Sequence, residues 1–415
     1  MDGPSGTGAG DLPEAGEVNP ANDKQERQGN QPTPLKALRR LPKLPVFWTI
    51  GRNEDTNLTH ALKRPLSGYL GGKSAGGYWT TRLADEWSNT FGSRYCTPCN
   101  SATSGLLAAC MAAEIGEGDI VWVSDYTMSA SATCAMILGA TVDFLDIDAD
   151  YFSLSLDNKR PLPRAIIVTN LFGCPASLVL LRQFCDSRDI ILIEDNAQAP
   201  FARMDGRYTG TIGHIGVFSL NVHKHLQSGE GGVIVTDDPQ LAHRLDCAIN
   251  HGELMRTDPH MGLNLRMTEP IAAIASAQLA KGVSIVQSRV ALAYEITACF
   301  EGIDFVEPPA IREGANHVFY LWAGKIKGDR ARERRKAFLE ALQDRGVPFR
   351  MGYSTPLHRI FGPPEWEQDY PITNDMEDNR LFCFEICAFD PKAHHIKLMK
   401  QIIQQEAERV TSCFD

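Results

Sequence analysis

The chain has no excess of positive charge and no long apolar run. Its 415 residues include 41 Lys and Arg against 51 Asp and Glu, which gives a formal net charge of -10 at pH 7. A general nucleic-acid-binding protein normally carries a basic excess, so we expect no nucleic-acid partner. Membrane-spanning helices need about 18 or more consecutive apolar residues, and the sequence has no such run, so we expect no membrane span. The start of the chain lacks the charged and apolar segments of a secretory signal, and we expect a cytoplasmic protein.

The cysteines lack the regular spacing of a disulfide framework. There are eleven of them, scattered along a long chain, which indicates reduced thiols. Cys96 and Cys99 form a Cys-Thr-Pro-Cys segment that could be a redox pair or half of a zinc site. A redox pair would need to lie at the start of a helix, and a zinc site would need a second close pair of ligands, for which residues 394–395 are a poor candidate. We therefore predict no metal.

The first part of the chain has little that could form a core. Residues 1–44 are rich in glycine, proline, asparagine, glutamine and charge, and the first aromatic residue is Phe47. Such a segment cannot bury enough apolar surface to offset the entropy lost on ordering it. We predict a disordered tail over residues 1–44.

From about residue 100, short apolar runs alternate with helical stretches. This rhythm is typical of βαβ units and predicts an α/β fold with a mostly parallel sheet covered by helices. We assign residues 45–284 to this large domain. Helices are predicted at residues 104–114, 129–138 and 178–187, and strands at residues 120–123, 142–145, 165–169, 190–194, 216–220 and 232–236.

A second pattern begins near residue 285. Residues 332–343 have a helical pattern, residues 317–322 alternate like a strand, and another strand starts within residues 346–350. We predict that residues 285–415 form a smaller α+β domain.

One carboxylate and one lysine stand out. Asp195 ends an apolar strand, where ligands of parallel sheets gather, and Lys224 precedes a glycine-rich turn. Pyridoxal phosphate needs a lysine amine to condense with its aldehyde and an acidic group to keep its pyridine ring protonated. The pair therefore predicts a pyridoxal phosphate site. Taken singly, Asp195 could be a helix cap and Lys224 a surface lysine.

Further motifs occur in a fixed order around this pair. They are Asn100-Ser-Ala-Thr-Ser-Gly105, Gly116-Glu-Gly-Asp119, Tyr126-Thr-Met-Ser-Ala130, Leu138-Gly-Ala-Thr141, Glu194-Asp-Asn-Ala-Gln198, the segment 219–232, Asn264-Leu-Arg-Met267 and Pro356-Leu-His358. Together they resemble the DegT/DnrJ/EryC1/StrS family of sugar aminotransferases of fold type I, over about residues 66–371. The resemblance implies a mostly parallel seven-stranded sheet between helices, with a smaller α+β domain after it.

The resemblance also implies how the cofactor is held. Lys224 matches the family's Schiff-base lysine, and Asp195 matches the partner of the pyridine nitrogen. Gln198 matches the side chain that bonds the phenolic oxygen of the cofactor, although it could be an exposed amide. Thr103 and Ser104 match phosphate ligands at a helix start, where ordinary capping is the alternative.

Three other positions bear on the cofactor. Ser219 matches a second phosphate ligand. Asn264 matches a residue that the family donates across a dimer interface to the same phosphate, so the resemblance implies a homodimer with shared active sites. Met128 occupies a position where many relatives stack an aromatic ring on the cofactor, and a thioether can still cover a ring face.

The function that the resemblance implies is amino-group transfer. An amino acid, expected to be L-glutamate, would donate its amino group to a keto sugar, expected to be nucleotide-linked. Lys224 would act as base and acid for the proton transfer. Arg266, His317 and His358 are candidates for binding the substrate, with a structural role as the alternative for each.

Other functions remain open from the sequence. The substrate could be a cyclitol or cyclic ketone, or the enzyme could be a pyridoxal-phosphate-dependent lyase. A non-catalytic sensor or scaffold that keeps the fold is a third possibility, although such a protein would have no chemical need for Lys224 or Asp195.

Overall fold

The computed structural model describes residues 40–68, 76–156, 160–252 and 261–414. Most of the predicted tail, residues 1–39, therefore lies outside the described residues. The end of that predicted tail needs correction, because Leu41 and Leu44 are buried in an apolar core. The backbone N–H of Leu41 also donates to the carbonyl of Arg345 at 2.7 Å. These leucines have enough apolar neighbours to offset the entropy of ordering them.

The first part of the described chain contains eight helices and nine strands. The helices are α1 (Arg52–Ala61), α2 (Tyr78–Phe91), α3 (Ala102–Ala112), α4 (Ala130–Met136), α5 (Leu178–Asp186), α6 (Pro239–Ile249), α7 (Glu269–Ala280) and α8 (Gly282–Ala298). The strands are β1 (Tyr95–Cys99), β2 (Ile120–Ser124), β3 (Thr141–Leu145), β4 (Ala165–Thr169), β5 (Ile191–Asp195), β6 (Arg203–Met204), β7 (Arg207–Tyr208), β8 (Ile215–Ser219) and β9 (Gly232–Thr236).

Seven of these strands form one sheet in the order β1-β9-β8-β5-β4-β2-β3. Neighbours from β8 to β3 pair in parallel, and β9 is antiparallel to both β8 and β1. Parallel strands are covered on both faces, which explains why every residue of β4 is buried. The predicted α/β fold with a mostly parallel seven-stranded sheet is confirmed.

Adjacent residues of β8 show how the two faces are filled. Val217 packs in a core with α3, α4 and α6, whereas Phe218 packs in a second core with α2 and α7. Successive side chains of a strand point to opposite faces of the sheet, so Val217 and Phe218 pack against different layers of helices.

The later part of the described chain contains four α-helices, a small four-stranded sheet and one strand, β11, that pairs with β6 of the first part. Its elements are β10 (Val306–Glu307), β11 (Ala315–Asn316), β12 (Trp322–Ile326), α9 (Ala331–Asp344), β13 (Arg350–Met351), α10 (Leu357–Phe361), α11 (Pro371–Asp375), β14 (Leu381–Phe384) and α12 (Ala393–Phe414). One antiparallel sheet has the order β10-β12-β14-β13, and the other has the order β11-β6-β7.

The strand predicted at residues 317–322 is wrong for all but its last residue. Phe319 has a positive φ of 51°, which no regular strand adopts. The N–H groups of Val318 and Tyr320 donate to the carbonyls of Gly173 and Phe172 at 3.0 and 2.7 Å. The alternating pattern therefore reflects a loop held against another loop, and β12 begins at Trp322.

Helix α8 extends between two apolar cores. Ile285 and Val286 pack with α2 and α7, whereas Leu292 and Ile296 pack with Trp322 of the small sheet. The predicted boundary at residues 284–285 thus falls inside one continuous helix. The division of the chain into domains 45–284 and 285–415 stays a prediction.

The Cys-Thr-Pro-Cys segment lies in the sheet rather than at a helix start. Cys96 and Cys99 belong to β1, where they pair with β9. Burial raises the pKa of Cys99 to about 12, so this thiol has little reactivity at neutral pH. Within the described ranges, no helix has the length and apolarity that crossing a membrane requires.

Candidate active site

A cavity of about 370 Å³ lies where the carboxyl ends of β4, β5 and β8 meet the start of α3. Asp195 and Lys224, the two residues that the sequence singled out, both line it. Parallel strands end at the same edge of a sheet, which is why residues far apart in sequence meet there.

Asp195 is buried at the end of β5 with two hydrogen bonds. The hydroxyl of Ser131 donates to Oδ2 at 2.6 Å, and the N–H of Ala197 donates to Oδ1 at 3.1 Å. Burial raises the pKa of Asp195, and these two bonds and the charge of Lys224 offset the rise in part. With two donors among the described residues, the carboxylate keeps capacity to accept a further N–H, so Asp195 suits a cationic ring nitrogen.

Lys224 lies in the connection between β8 and β9, residues 220–231. Its N–H donates to the carbonyl of Asn221 at 2.9 Å, and the N–H of Val222 donates to the carbonyl of Gly229 at 3.0 Å. Gly229 and Gly231 have φ of 85° and 136°, values that side-chain-bearing residues adopt rarely, which is the reason for glycines in this connection. These backbone bonds hold the segment that carries the lysine.

The amine of Lys224 lies 4.5 Å from the centroid of the Tyr320 ring. Burial lowers the pKa of Lys224, and the charge of Asp195 offsets the effect in part. A lower pKa leaves more of the amine uncharged, which is the form that attacks a carbonyl carbon.

The start of α3 forms another wall of the cavity. Ser101, Thr103 and Ser219 all line it. The hydroxyl of Ser101 caps the helix by accepting from the N–H of Ser104 at 3.1 Å. The first N–H groups of a helix lack partners within it and favour an anion, which makes this wall suitable for a phosphate.

Ser104 differs from its predicted role. Its hydroxyl accepts a hydrogen bond from the Ser101 hydroxyl at 3.0 Å, and its side chain does not line the cavity. Ser101 thus occupies the place beside Thr103 that the sequence gave to Ser104. Thr103 itself is exposed at the cavity.

Gln198 is buried, which makes the exposed-amide interpretation wrong. Its Oε1 accepts from the N–H of Phe172 at 2.7 Å, and its Nε2 donates to the Tyr353 hydroxyl at 2.7 Å. Both Gln198 and Tyr353 line the cavity. Burial raises the pKa of Tyr353 to about 12, so this hydroxyl keeps its proton at neutral pH.

His317 does not reach the cavity. Its ring is buried and stacks on Phe319 with centroids 3.9 Å apart. Its Nδ1 accepts from the N–H of Phe319 at 2.9 Å, and burial lowers its pKa to about 3. His317 is neutral and structural, which corrects its predicted contact with the substrate.

His358 is also bonded to its own chain. Its Nδ1 lies 2.8 Å from a carboxylate oxygen of Asp125, its Nε2 lies 3.0 Å from Glu367, and its ring stacks on Tyr370. Both ring nitrogens are thus in use, and the side chain does not line the cavity. We withdraw His358 as a substrate contact.

Of the remaining predicted site residues, Met128 lines the cavity, whereas Arg266 and Asn264 do not. Nη1 of Arg266 donates to Oδ1 of Asn250 at 2.6 Å, away from the cavity, so a role in binding the substrate within this chain is not supported. Asn264 is exposed and does not line this chain's cavity. Met128 lines the cavity with 56% of its surface exposed, so a flat ligand has room to pack against it.

Sequence reasoning missed the hydroxyl groups around Asp195. The hydroxyl oxygens of Thr127 and Thr169 lie 2.8 Å apart. The hydroxyl oxygen of Ser131 lies 3.5 Å from that of Thr169, and the Ser131 hydroxyl donates to Asp195. Serine and threonine at strand ends and helix starts are too common to single out. Tyr353 had a better signal, because it stands three residues before the Pro356-Leu-His358 motif.

The comparison with protein families decides the class. The model of the DegT/DnrJ/EryC1/StrS aminotransferase family matches residues 69–381. The chain belongs to this family. It is an aminotransferase, and the resemblance inferred from its motifs is confirmed.

Members of this family with related sequences act on sugars and cyclitols. An L-glutamine:2-deoxy-scyllo-inosose aminotransferase of Streptomyces kanamyceticus is 36% identical over 51% of this chain and 52% of that protein. The dTDP-3-amino-3,4,6-trideoxy-alpha-D-glucose transaminase of Streptomyces venezuelae is 32% identical over 75% of this chain and 82% of that protein. The solved structure of DesV from S. venezuelae has a TM-score of 0.75 and 26% identity, and covers 86% of this chain and 94% of that one.

Proposed function

We propose that this aminotransferase uses pyridoxal phosphate held by Lys224 and Asp195. The observation that carries the proposal is that an amine with a lowered pKa, a buried carboxylate and the start of α3 share one cavity. These are the groups that an aldehyde, a pyridine nitrogen and a phosphate require, so the residues fit the cofactor. When bound, the cofactor supplies an aldehyde for amine exchange and a ring that accepts electrons.

Each residue has a distinct role in this proposal. Lys224 would hold the cofactor through its amine and would carry a proton to and from the reacting carbon of the substrate. Asp195 keeps the ring nitrogen protonated, with Ser131 fixing the carboxylate. Thr103 and Ser219 bind the phosphate with the helix N–H groups, and Gln198 bonds the phenolic oxygen.

The acceptor in this proposal is a keto group on a polyhydroxylated ring, and the donor is an amino acid, with L-glutamate as first candidate. A nucleotide-linked keto sugar is the first candidate acceptor, supported by the Streptomyces venezuelae relative, which is similar over 75% of the chain. A cyclitol ketone is the second, supported by the 36% identity to the inosose aminotransferase, whose name also points to L-glutamine as donor.

Borohydride reduction of the protein loaded with pyridoxal phosphate tests the cofactor. Mass mapping is expected to place the reduced adduct on Lys224, and Lys224→Ala is expected to lose both the adduct and amino transfer. Lys400→Ala is the matched control, because that lysine pairs with Glu301 on the surface. An adduct on another residue, or none, would refute the proposal.

Amino transfer to a panel of acceptors tests the substrate. Each of L-glutamate and L-glutamine is combined with nucleotide-linked keto sugars and with inososes, and the aminated product is measured by mass spectrometry. Product from the nucleotide-linked sugars alone supports the first candidate, and product from inososes alone replaces it with the second. Release of product without any amino donor would instead indicate a lyase.

We also propose that the active enzyme is a homodimer to which Asn264 contributes across the interface. Asn264 is exposed on this chain and lies outside its cavity, which is consistent with a role in a second copy. Alone, Lys224→Ala is expected to be inactive and Asn264→Ala weakly active, and activity is expected to return when the two proteins are dissociated and mixed. Full activity of Asn264→Ala, or a monomer by light scattering, would refute this.

A further inference from the structure

A second cavity adjoins the active site. It has a volume of about 220 Å³ and shares His223 and Tyr320 with the active-site cavity. We call it the annex. Its remaining lining residues are Leu321, Arg350, Glu385, Cys387 and Ala388.

The annex is next to the reactive amine. One face of Tyr320 lies 4.5 Å from the amine of Lys224, and the same residue lines the annex. His223, the residue before Lys224, also lines both the active-site cavity and the annex, so the two cavities adjoin beside the lysine. A molecule that reacts at Lys224 can therefore extend into the annex.

Arg350 brings a positive charge to the annex with few internal contacts. Its strand β13 is fixed by pairing with β14, in the register Arg350 with Cys383. Its Nη1 lies 3.4 Å from the carbonyl of Tyr353, a long contact. Its Nε lies 3.3 Å from a carboxylate oxygen of Glu385 but makes no hydrogen bond within the described part of the chain.

The pair of Arg350 and Glu385 is too exposed to serve mainly as a structural contact. Their side chains are 42% and 44% exposed, and exposed ion pairs add little to stability. The guanidinium is thus fixed at its backbone, loosely paired at its tip and directed into a small cavity beside the reactive lysine. These are the properties of a binding group.

We propose that Arg350 binds the carboxylate of the amino-acid donor. This inference rests on the proposed function, because the donor must react at Lys224. A guanidinium donates two parallel hydrogen bonds to a carboxylate, which fixes the orientation of the donor as well as its affinity. The donor's carboxylate replaces the weak contact with Glu385.

Two features favour the donor over the phosphates of an acceptor. The annex, at about 220 Å³, is smaller than the roughly 300–1,000 Å³ of pockets for larger ligands and suits an amino acid. Glu385 also places a carboxylate in the annex. This carboxylate repels the several negative charges of a nucleoside diphosphate more than the single negative charge of one carboxylate. The acceptor's phosphates would have to bind elsewhere.

Steady-state kinetics of Arg350→Gln tests the inference. The KM for L-glutamate and L-glutamine is expected to rise on the order of 10- to 100-fold, the usual effect of losing a charge-assisted hydrogen bond. The kcat and the KM of the acceptor are expected to change by less than about threefold, since the donor loses the same binding energy in the ground state and in the transition state. Arg350→Lys keeps the charge but cannot donate two parallel hydrogen bonds. Its donor KM is expected to lie between those of wild type and Arg350→Gln.

Two further variants separate binding from structure. Arg82→Gln removes a similarly exposed arginine that pairs with Glu86 in α2, and it is expected to leave all constants unchanged. Glu385→Gln is expected to leave the donor KM unchanged or lower, because the carboxylate competes for Arg350. An equal rise of the donor KM in Glu385→Gln and in Arg350→Gln would show that the two residues form a purely structural pair and would overturn the proposal.

Other outcomes also decide the matter. An unchanged donor KM in Arg350→Gln, or a rise in the acceptor KM instead, overturns the assignment to the donor. If the KM of Arg350→Gln rises for L-glutamate alone, the side-chain carboxylate binds Arg350. If the KM rises equally for L-glutamate and L-glutamine, the α-carboxylate binds there. Borohydride mapping of wild type and Arg350→Gln comes first, because a missing adduct on Lys224 in wild type would refute the proposed function rather than this inference.

Discussion

The two sides of β5 carry neighbouring carboxylates in opposite situations. Glu194 accepts hydrogen bonds from the N–H groups of Gly210, Ile212 and Gly213 at 2.6, 2.7 and 2.5 Å, and a longer one from Asn170. Burial raises the pKa of Glu194, and these bonds offset the rise in part. Its hydrogen-bonding capacity is almost fully used, and it anchors the loop before β8.

Asp195 is also buried but accepts half as many hydrogen bonds. Among the residues that the structure describes, Ser131 and Ala197 are its donors, and it lines the active-site cavity. The same chemical group is therefore a structural anchor on one side of the strand and a candidate catalytic group on the other. The number of donors that the protein itself provides distinguishes them, rather than burial or pKa direction.

The comparison is sharpened most by Asp195→Asn. The amide keeps the shape but loses the charge that holds the ring nitrogen protonated, so kcat is expected to fall on the order of 10²- to 10⁴-fold. Borohydride mapping is expected to find the cofactor still on Lys224. Steady-state kinetics measures the loss, and a kcat within threefold of wild type would contradict the role of Asp195.

His225, the neighbour of Lys224, extends the comparison of neighbouring residues to the pH dependence of stability. His225 is buried, its Nε2 lies 3.0 Å from the carbonyl of Val318, and burial lowers its pKa from 6.5 to about 4. The unfolded chain therefore binds a proton that the folded chain does not, and stability is lost as the pH falls from about 6.5 to 4. At roughly 1.4 kcal/mol per pKa unit, the loss reaches about 3 kcal/mol.

Denaturant unfolding between pH 4 and 7 measures this loss. His225→Asn is expected to flatten the dependence by one titrating group, whereas His243→Asn, at an exposed position of α6, is expected to leave it unchanged. Equal slopes for wild type and His225→Asn would contradict the assignment.

Glu194→Gln tests the structural side of the first pair. The amide replaces one acceptor oxygen by a donor facing backbone N–H groups, so the free energy of unfolding is expected to fall by about 1–3 kcal/mol. Because Glu194 does not line the cavity, kcat per folded molecule is expected to stay within about threefold of wild type. A large loss of kcat with unchanged stability would break the comparison.

Ser131→Ala gives the smallest expected effect. The hydrogen bond from Ser131 lowers the pKa of Asp195, so its loss raises that pKa further. Activity needs the ionised carboxylate, and the acid limb of the kcat profile is expected to move to higher pH. The loss at neutral pH is expected to be about 3- to 10-fold. A profile identical to wild type would show that Ser131 is not needed.

Local patterns were sufficient for six of the seven strands of the large sheet, and they singled out Asp195 and Lys224. The six predicted strands are rich in apolar residues, a pattern that buried strands leave in the sequence. Strand β1 was missed because its sequence, Tyr-Cys-Thr-Pro-Cys, has no apolar run. The segment 317–322 misled the prediction because its alternation comes from contacts with residues 172–173, which lie far away in the sequence.

The sequence by itself indicated the family through its motifs and the α/β sheet through its apolar periodicity. It also predicted Lys224 and Asp195 as cofactor residues, because only a few residue types provide that chemistry. Only the tertiary structure decided which polar groups remain free to act. His317 and His358 are bonded within the chain, whereas Tyr353 and Ser131 reach the cavity or its carboxylate. The hydrogen bonds of His358, Tyr353 and Ser131 join residues far apart in the sequence, and no local pattern records them.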